Sequence, residues 1–210
     1  MLQQIPVDQR VAVVRSLILS GAIRFERSPS GEAVNLNFRP KDAAMRGGPI
    51  TADLARNIAL VMSSAGEQLC QNCQAVVGLH NPIYPSKWAD EGSPLVIAFA
   101  RALRRGMTPL GFHQIKAKVS SKEEVGRVLV VDTFLGNDLD SMGEAIDALC
   151  GLELQVAGTM TFIGNGQGVL NGHPWSYMFT PSSLVEFCWQ EKLVPQPRLG
   201  YVEHHLGIRH

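Results

Sequence analysis

The stretch from Arg127 to Leu149, RVLVVDTFLGNDLDSMGEAIDAL, constrains the fold more than any other part of the sequence. Its apolar run VLVV ends on an acid, a turn follows, and a helical pattern begins. In an open α/β sheet, ligands collect beyond the carboxyl ends of the strands, where loops lead into helix N-termini. A loop there can aim its backbone amides at a phosphate, aided by the dipole of the following helix. Asp132 stands at the strand end, where a carboxylate can accept hydrogen bonds from ribose hydroxyls. The layout suits a ribose 5-phosphate.

The rest of the chain supplies a frame for such a sheet. Asp8 can cap a helix carrying Val11, Val14, Leu17 and Ile18 at helical spacing, with Gly21 as its stop. Alternation around a Ser-Pro-Ser-Gly turn predicts a hairpin from Ile23 to Phe38. KDAAMRGGP reads as a loop, and a second helix from about Thr51 carries Leu54, Ile58 and Val61 on one face. Then strands and helices alternate. QAVVGL is a short buried strand, PLVIAFARALRR a helix begun by Pro94, and LGFHQIKAKV a longer strand. RVLVVD, SMGEAIDALC and LELQVAGTMTFIG follow as strand, helix and strand. GNGQGVLNGHPW reads as an exposed loop, and SSLVEFCWQEKL as a closing helix capped by Ser182 or Ser183. The alternation predicts a mainly parallel sheet with helices on both faces. One domain spans 1–210, divided into a helix-and-hairpin hood (1–48), an α/β core (49–164) and a loop with a helical tail (165–210).

Composition narrows the function classes. The hydrophobic share of 45% against 18% charged residues places the chain among globular proteins rather than disordered ones. Nineteen basic residues balance nineteen acidic ones, so no global field draws nucleic acid or an anionic membrane. Arginines interrupt the longest apolar stretches, VAVVRSLIL and SPLVIAFARAL, which fall short of a membrane span. MLQQIPVDQR lacks the basic start and apolar core of a signal peptide, which predicts a cytoplasmic protein.

Cys70 and Cys73 form a C-x-x-C with no second ligand pair at similar spacing, so no metal or redox centre is assigned to them. Cys150 and Cys188 fall on apolar helix faces, where buried thiols are common. The C-terminal EHHLGIRH reads as a solvated terminus.

VLVVD, a short loop and EAIDAL together resemble the signature of the type I phosphoribosyltransferases, and the flanking segments are most similar to orotate phosphoribosyltransferase. VVRSLILSGAIRFE with SGEAVNLNFR resembles that family's opening helix and hairpin. AVVGL with EGSPLVIAFARAL resembles its pyrophosphate-loop strand and helix, and YMFTPSSLVEFCWQEKLV its closing helix. The resemblance implies the type I fold, a homodimer, and transfer of ribose 5-phosphate from phosphoribosyl pyrophosphate to a base with magnesium. It also implies site residues. Asp132 and Thr133 with the loop residues Gly136, Asn137, Asp138, Asp140 and Ser141 would face ribose and phosphate. Lys116 and Lys118, sharing one side of a strand by alternation, would stand on the pyrophosphate side with His80 and Lys87. Arg27 and Asn35 would approach from the hairpin.

Departures from the family fall where the chemistry belongs. Thr133 replaces the second acid of the signature, and GNDLDS stands where threonines and glycines are usual. A like-charge pair of a loop aspartate and a phosphate at about 4 Å costs about 4 kcal/mol at an effective dielectric of about 20. Asp138 and Asp140 suit a hard cation, or more simply cap the helix starting near Ser141. HNPIYPSKWAD, with Tyr84 and Trp88, is inserted where the family has a short turn. SSKEEVG offers Lys122 but no histidine where a mobile lid would close over the reacting centre. The expectation is a phosphoribosyltransferase-like chain that has lost the standard transfer, needs no cofactor, and binds a small phosphate or nucleotide or a partner. The alternative is an active transferase using magnesium.

Overall fold

A computed structural model describes residues 7–19, 23–27, 34–38, 52–71, 73–78, 98, 101, 108–110, 112–132 and 139–194. Helix α1 (Val7–Leu19) buries Val13, Val14 and Leu17. Strands β1 (Ile23–Arg27) and β2 (Val34–Phe38) form the expected antiparallel hairpin, pairing Ile23 with Phe38 and Arg27 with Val34. Helix α2 (Ala52–Ala65) packs on α1, with Ile58 and Val61 fully enclosed and Leu54 against the same cluster.

The main sheet is built from β3 (Ala75–Gly78), β4 (Thr108–Leu110), β5 (Arg127–Asp132), β6 (Gln155–Ile163), β7 (Val169–Leu170) and β8 (His173–Phe179). Their order is β4-β3-β5-β6-β8-β7, parallel throughout except for β7, which pairs antiparallel with β8. Side-chain alternation sends residues of one strand into two cores. On β5, Leu129 and Val131 join α1, α2 and the closing helix α5 (Pro181–Gln190). Val128 and Val130 join α3 (Phe112–Ser120) and α4 (Leu139–Cys150) on the other face. Burial on both faces is why β5 reads as a continuous apolar run.

A register shift lies between Val128 and Leu129, opposite Ala157 of β6. It reverses the faces of β6: Val156 belongs to the α4 side, whereas Met160 and Phe162 belong to the α1–α2 side despite equal parity. Gly158, at φ +148°, follows the extra residue, and a Cβ there would lie 2.4 Å from the carbonyl oxygen of Pro174. Only glycine fits that approach.

Three sequence expectations change. LGFHQIKAKV is not one long strand: β4 ends at Leu110 and α3 starts at Phe112. Ile115, Ala117 and Val119 satisfy period two, but Ile115 and Val119 also satisfy a helical i, i+4 face, and both contact the α4-side core. Because β4 and β5 are parallel, the chain leaving β4 must return along the whole sheet, and a helix makes that crossover. Secondly, GNGQGVLNGHPW is not all loop. Asn171 and Gly172 both have positive φ, 46° and 77°, the pattern of a two-residue hairpin turn between β7 and β8. Thirdly, the closing helix is capped by Thr180 rather than Ser182 or Ser183. Ser183 donates its amide to Thr180 Oγ1 at 3.1 Å, while its own Oγ accepts from the Thr180 amide at 2.8 Å.

Among the described residues, no helix is long and apolar enough to cross a membrane. Of the expected helix from Pro94, Ala98 and Arg101 are helical, and the rest lies outside the described residues.

Candidate functional site

The strand order fixes where a ligand crevice can form. From β3 the chain passes to β4 on one side and then to β5 on the other, so the order reverses between β3 and β5. Crevices in open α/β sheets lie at such a reversal, outside the carboxyl ends of the strands. Gly78 pairs with Val131, so the two strands end side by side, and Asp132 is the terminal residue of β5. Its backbone pairs on the other side with Thr161 of β6.

Helix α4 begins at Leu139, so Asp140 and Ser141 occupy its first turn rather than a position before it. The expectation that Asp140 caps a helix starting near Ser141 is therefore corrected. Thr133, Gly136, Asn137 and Asp138 lie outside the described residues, as do His80, Lys87 and the insertion containing Tyr84 and Trp88. Arg27 and Asn35 stand on adjacent rungs of the hairpin ladder, paired with Val34 and Glu26.

Lys116 and Lys118 are not neighbours on one side of a strand. They lie on α3, where a spacing of two residues separates side chains by about 200° around the axis. The helix runs from the carboxyl edge toward the amino edge, away from Asp132. Lys118 Nζ contacts Glu123 Oε2 at 2.5 Å, and Ser121 Oγ donates to the other carboxylate oxygen at 3.2 Å. The hydrogen bond from Lys118, with help from Ser121, holds the Glu123 carboxyl below its ordinary range. SSKEEVG is the end of this crossover, not a lid. The Ser121 amide bonds Ala117 O, the Glu123 amide bonds Lys118 O, and Lys122 takes φ 61°.

At the amino edge a groove of about 550 Å³ is lined by Gln74, Glu124, Val125, Gly126, Arg127, Glu153, Leu154 and Gln155. It lies at the opposite edge of the sheet from Asp132. Gln74 Oε1 accepts the Arg127 amide at 2.6 Å, so this side chain closes the gap between β3 and β5. Two glutamates against one arginine make no anion cradle.

Beneath the candidate crevice, β6 and β8 carry a buried polar link. Trp175 Nε1 donates to Thr161 Oγ1 at 2.9 Å, and that hydroxyl donates to the Ile163 carbonyl at 2.8 Å. Thr159, two residues earlier and fully buried, has no hydrogen-bond partner for its hydroxyl among the described residues. Sequence reading misses this group because Trp175 falls in GNGQGVLNGHPW, which reads as an exposed loop.

All four cysteines are thiols. Cys70 and Cys73 are buried, donating to Met160 Sδ at 3.6 Å and to Leu69 O at 3.0 Å. Burial pushes the Cys188 thiol up to about 12. Cys150, expected on an apolar face, is exposed at the end of α4.

No family model matches the sequence, and no curated protein matches it. Among solved structures, UMP synthase from Leishmania donovani matches 94% of this chain with a TM-score of 0.64 and 15% sequence identity. This chain spans 41% of that protein's length.

The fold is shared with part of a UMP synthase. At 15% identity the likeness speaks for architecture alone. Together with the parallel sheet and its two helical layers, it supports the phosphoribosyltransferase-type fold that the sequence resemblance implied.

Proposed function

We propose that this protein binds a small phosphorylated ribose or nucleotide beyond the carboxyl ends of β3 and β5, and does not carry out the standard phosphoribosyl transfer. The observation that carries the reading is the reversal of strand order at β3 and β5, with Asp132 ending β5 and α4 starting seven residues later. An acid and a helix N-terminus serve the two ends of a ribose phosphate: hydroxyls on the carboxylate, phosphate on the amides.

Two features argue against transfer. Thr133 stands where the resembled signature has its second acid. Lys116 and Lys118, two of the residues expected to balance a departing pyrophosphate, lie on α3, which runs to the other edge of the sheet. Magnesium prefers near-octahedral oxygen ligands, commonly one or two carboxylates with substrate phosphates. With Thr133 in the second position, Asp132 is the one acid of the signature left for it, so no step is assigned to the metal. The family resemblance also implies a homodimer.

The test is titration calorimetry of the full chain with ribose 5-phosphate, UMP and phosphoribosyl pyrophosphate, with and without magnesium. Binding of ribose 5-phosphate or UMP without magnesium, lost in Asp132→Ala, is expected. Magnesium-dependent binding of phosphoribosyl pyrophosphate, with pyrophosphate released when orotate is added, would replace this reading by an active transferase. Silence toward all three ligands to millimolar concentration would remove the crevice as a nucleotide site.

A further inference from the structure

The end of α4 and the β7–β8 hairpin meet in a polar cluster separate from the crevice. Asn171, at the tip of the hairpin, donates to both carboxylate oxygens of Asp147 at 3.4 and 3.5 Å. It also sits over Gly143, where a Cβ would come within 2.7 Å of its Nδ2. The hairpin turn is thereby seated on α4, and the Leu170–His173 pair fixes the residue that follows it. This places His173 Nε2 3.6 Å from Cys150 Sγ. Cys150 is exposed, whereas Cys70, Cys73 and Cys188 are 2%, 6% and 0% exposed.

We propose that Cys150 and His173 form a reactive thiol–imidazole pair, at which small disulfides modify this protein. A nucleophilic sulfur needs a base within hydrogen-bond reach to take its proton. Asp147 is occupied by Asn171, and Glu153 lies in the turn after α4, its amide bonded to the Cys150 carbonyl. The base in contact with the sulfur is His173.

With the imidazole proton on Nδ1, Nε2 accepts the thiol proton. The sulfur then attacks one sulfur of the incoming disulfide. A new S–S bond forms to Cys150, the old S–S bond breaks, and the departing thiolate takes the proton from the imidazolium. One thiol is consumed and one is released, so the exchange needs no other oxidant.

The experiment uses the full chain with dithiodipyridine and, separately, oxidised glutathione. The expected result is one released thiol per chain, a mixed disulfide mapped by mass spectrometry to Cys150, and none in Cys150→Ser. At neutral pH the rate should exceed that of free glutathione by on the order of tenfold, because the adjacent imidazole takes the thiol proton as the sulfur attacks. His173→Gln should lose that advantage at neutral pH, yet match wild type at alkaline pH, where thiols ionise unaided; His173→Asn serves if the glutamine variant does not fold. A wild-type rate no faster than glutathione would overturn the proposal. So would a neutral-pH rate in either histidine variant that is unchanged from wild type, or one lowered equally at neutral and alkaline pH.

Discussion

Thr159 and Thr161 lie two residues apart on β6, are both buried, and should respond to the same substitution with opposite sign. Thr161→Val removes the acceptor of Trp175 Nε1 and leaves a buried N–H without a partner. Such an orphan costs about 1–3 kcal/mol, partly offset because the hydroxyl itself no longer has to be buried. A net loss of about 1–2 kcal/mol is expected. Thr159→Val removes a hydroxyl with no partner among the described residues and should gain about 1 kcal/mol. The assay is urea unfolding with an unchanged m-value, which separates a change in stability from a change in the exposed surface. In thermal scans each kcal/mol corresponds to roughly 2–4 °C for a chain of this size. Combining Thr161→Val with Trp175→Phe should cost less than the two changes summed, since the orphaned donor is removed as well. A destabilising Thr159→Val would refute the reasoning by revealing a partner for that hydroxyl, such as a buried water. A neutral Thr161→Val would remove the claim that the indole depends on it.

Gly158→Ala sets a Cβ against the Pro174 carbonyl at 2.4 Å in a backbone with φ +148°, so a loss of about 3 kcal/mol or more is expected, read as a lower urea midpoint. Cys188 tests the sign of a pH effect. Its folded value of about 12 lies above the reference of 9.0, so the folded state keeps a proton that the unfolded state gives up. This contribution is complete below about pH 9 and is lost as the pH rises toward about 12. The slope is at most about 1.4 kcal/mol per pH unit. Cys188→Ala should start less stable but fall less steeply across that window, and equal slopes would sink the account.

The elements legible in the sequence are those in which one periodicity had no competitor. RVLVVD could be only a strand buried on both faces, and the alternating stretches Ile23–Arg27 and Val34–Phe38 pair antiparallel. HQIKAKV satisfies two periods at once, and the choice between them was made by distance: the crossover from β4 must span the sheet to reach Arg127. The β7–β8 hairpin was hidden by its own turn chemistry. Asn171-Gly172 is the strongest short hairpin signal, but it lies among four other glycines and asparagines that do mark a loop. The register shift opposite Ala157 had no sequence signal beyond Gly158, yet it decides which face of β6 carries Met160 and which carries Thr161.

The same topology explains which candidate residues survive as a group. In a parallel sheet, residues just after a strand lie at the carboxyl edge and residues just before the next strand lie at the amino edge. Asp132 ends β5 at its carboxyl edge and belongs with the first set; Lys118, Lys122 and Glu124 precede β5 and belong to the second. Lys116 and Lys118 lie about 6 and 9 Å along α3 from its start at the carboxyl edge, on faces about 200° apart, and Lys118 is paired with Glu123. A pyrophosphate placed beside Asp132 would therefore draw its positive charge from elsewhere than α3. That loss is independent of the Thr133 replacement and of the aspartates at 138 and 140. Restoring one acid by Thr133→Asp should on this reasoning leave phosphoribosyl transfer undetectable, and measurable pyrophosphate release from that single variant would show that the cation problem had been overstated.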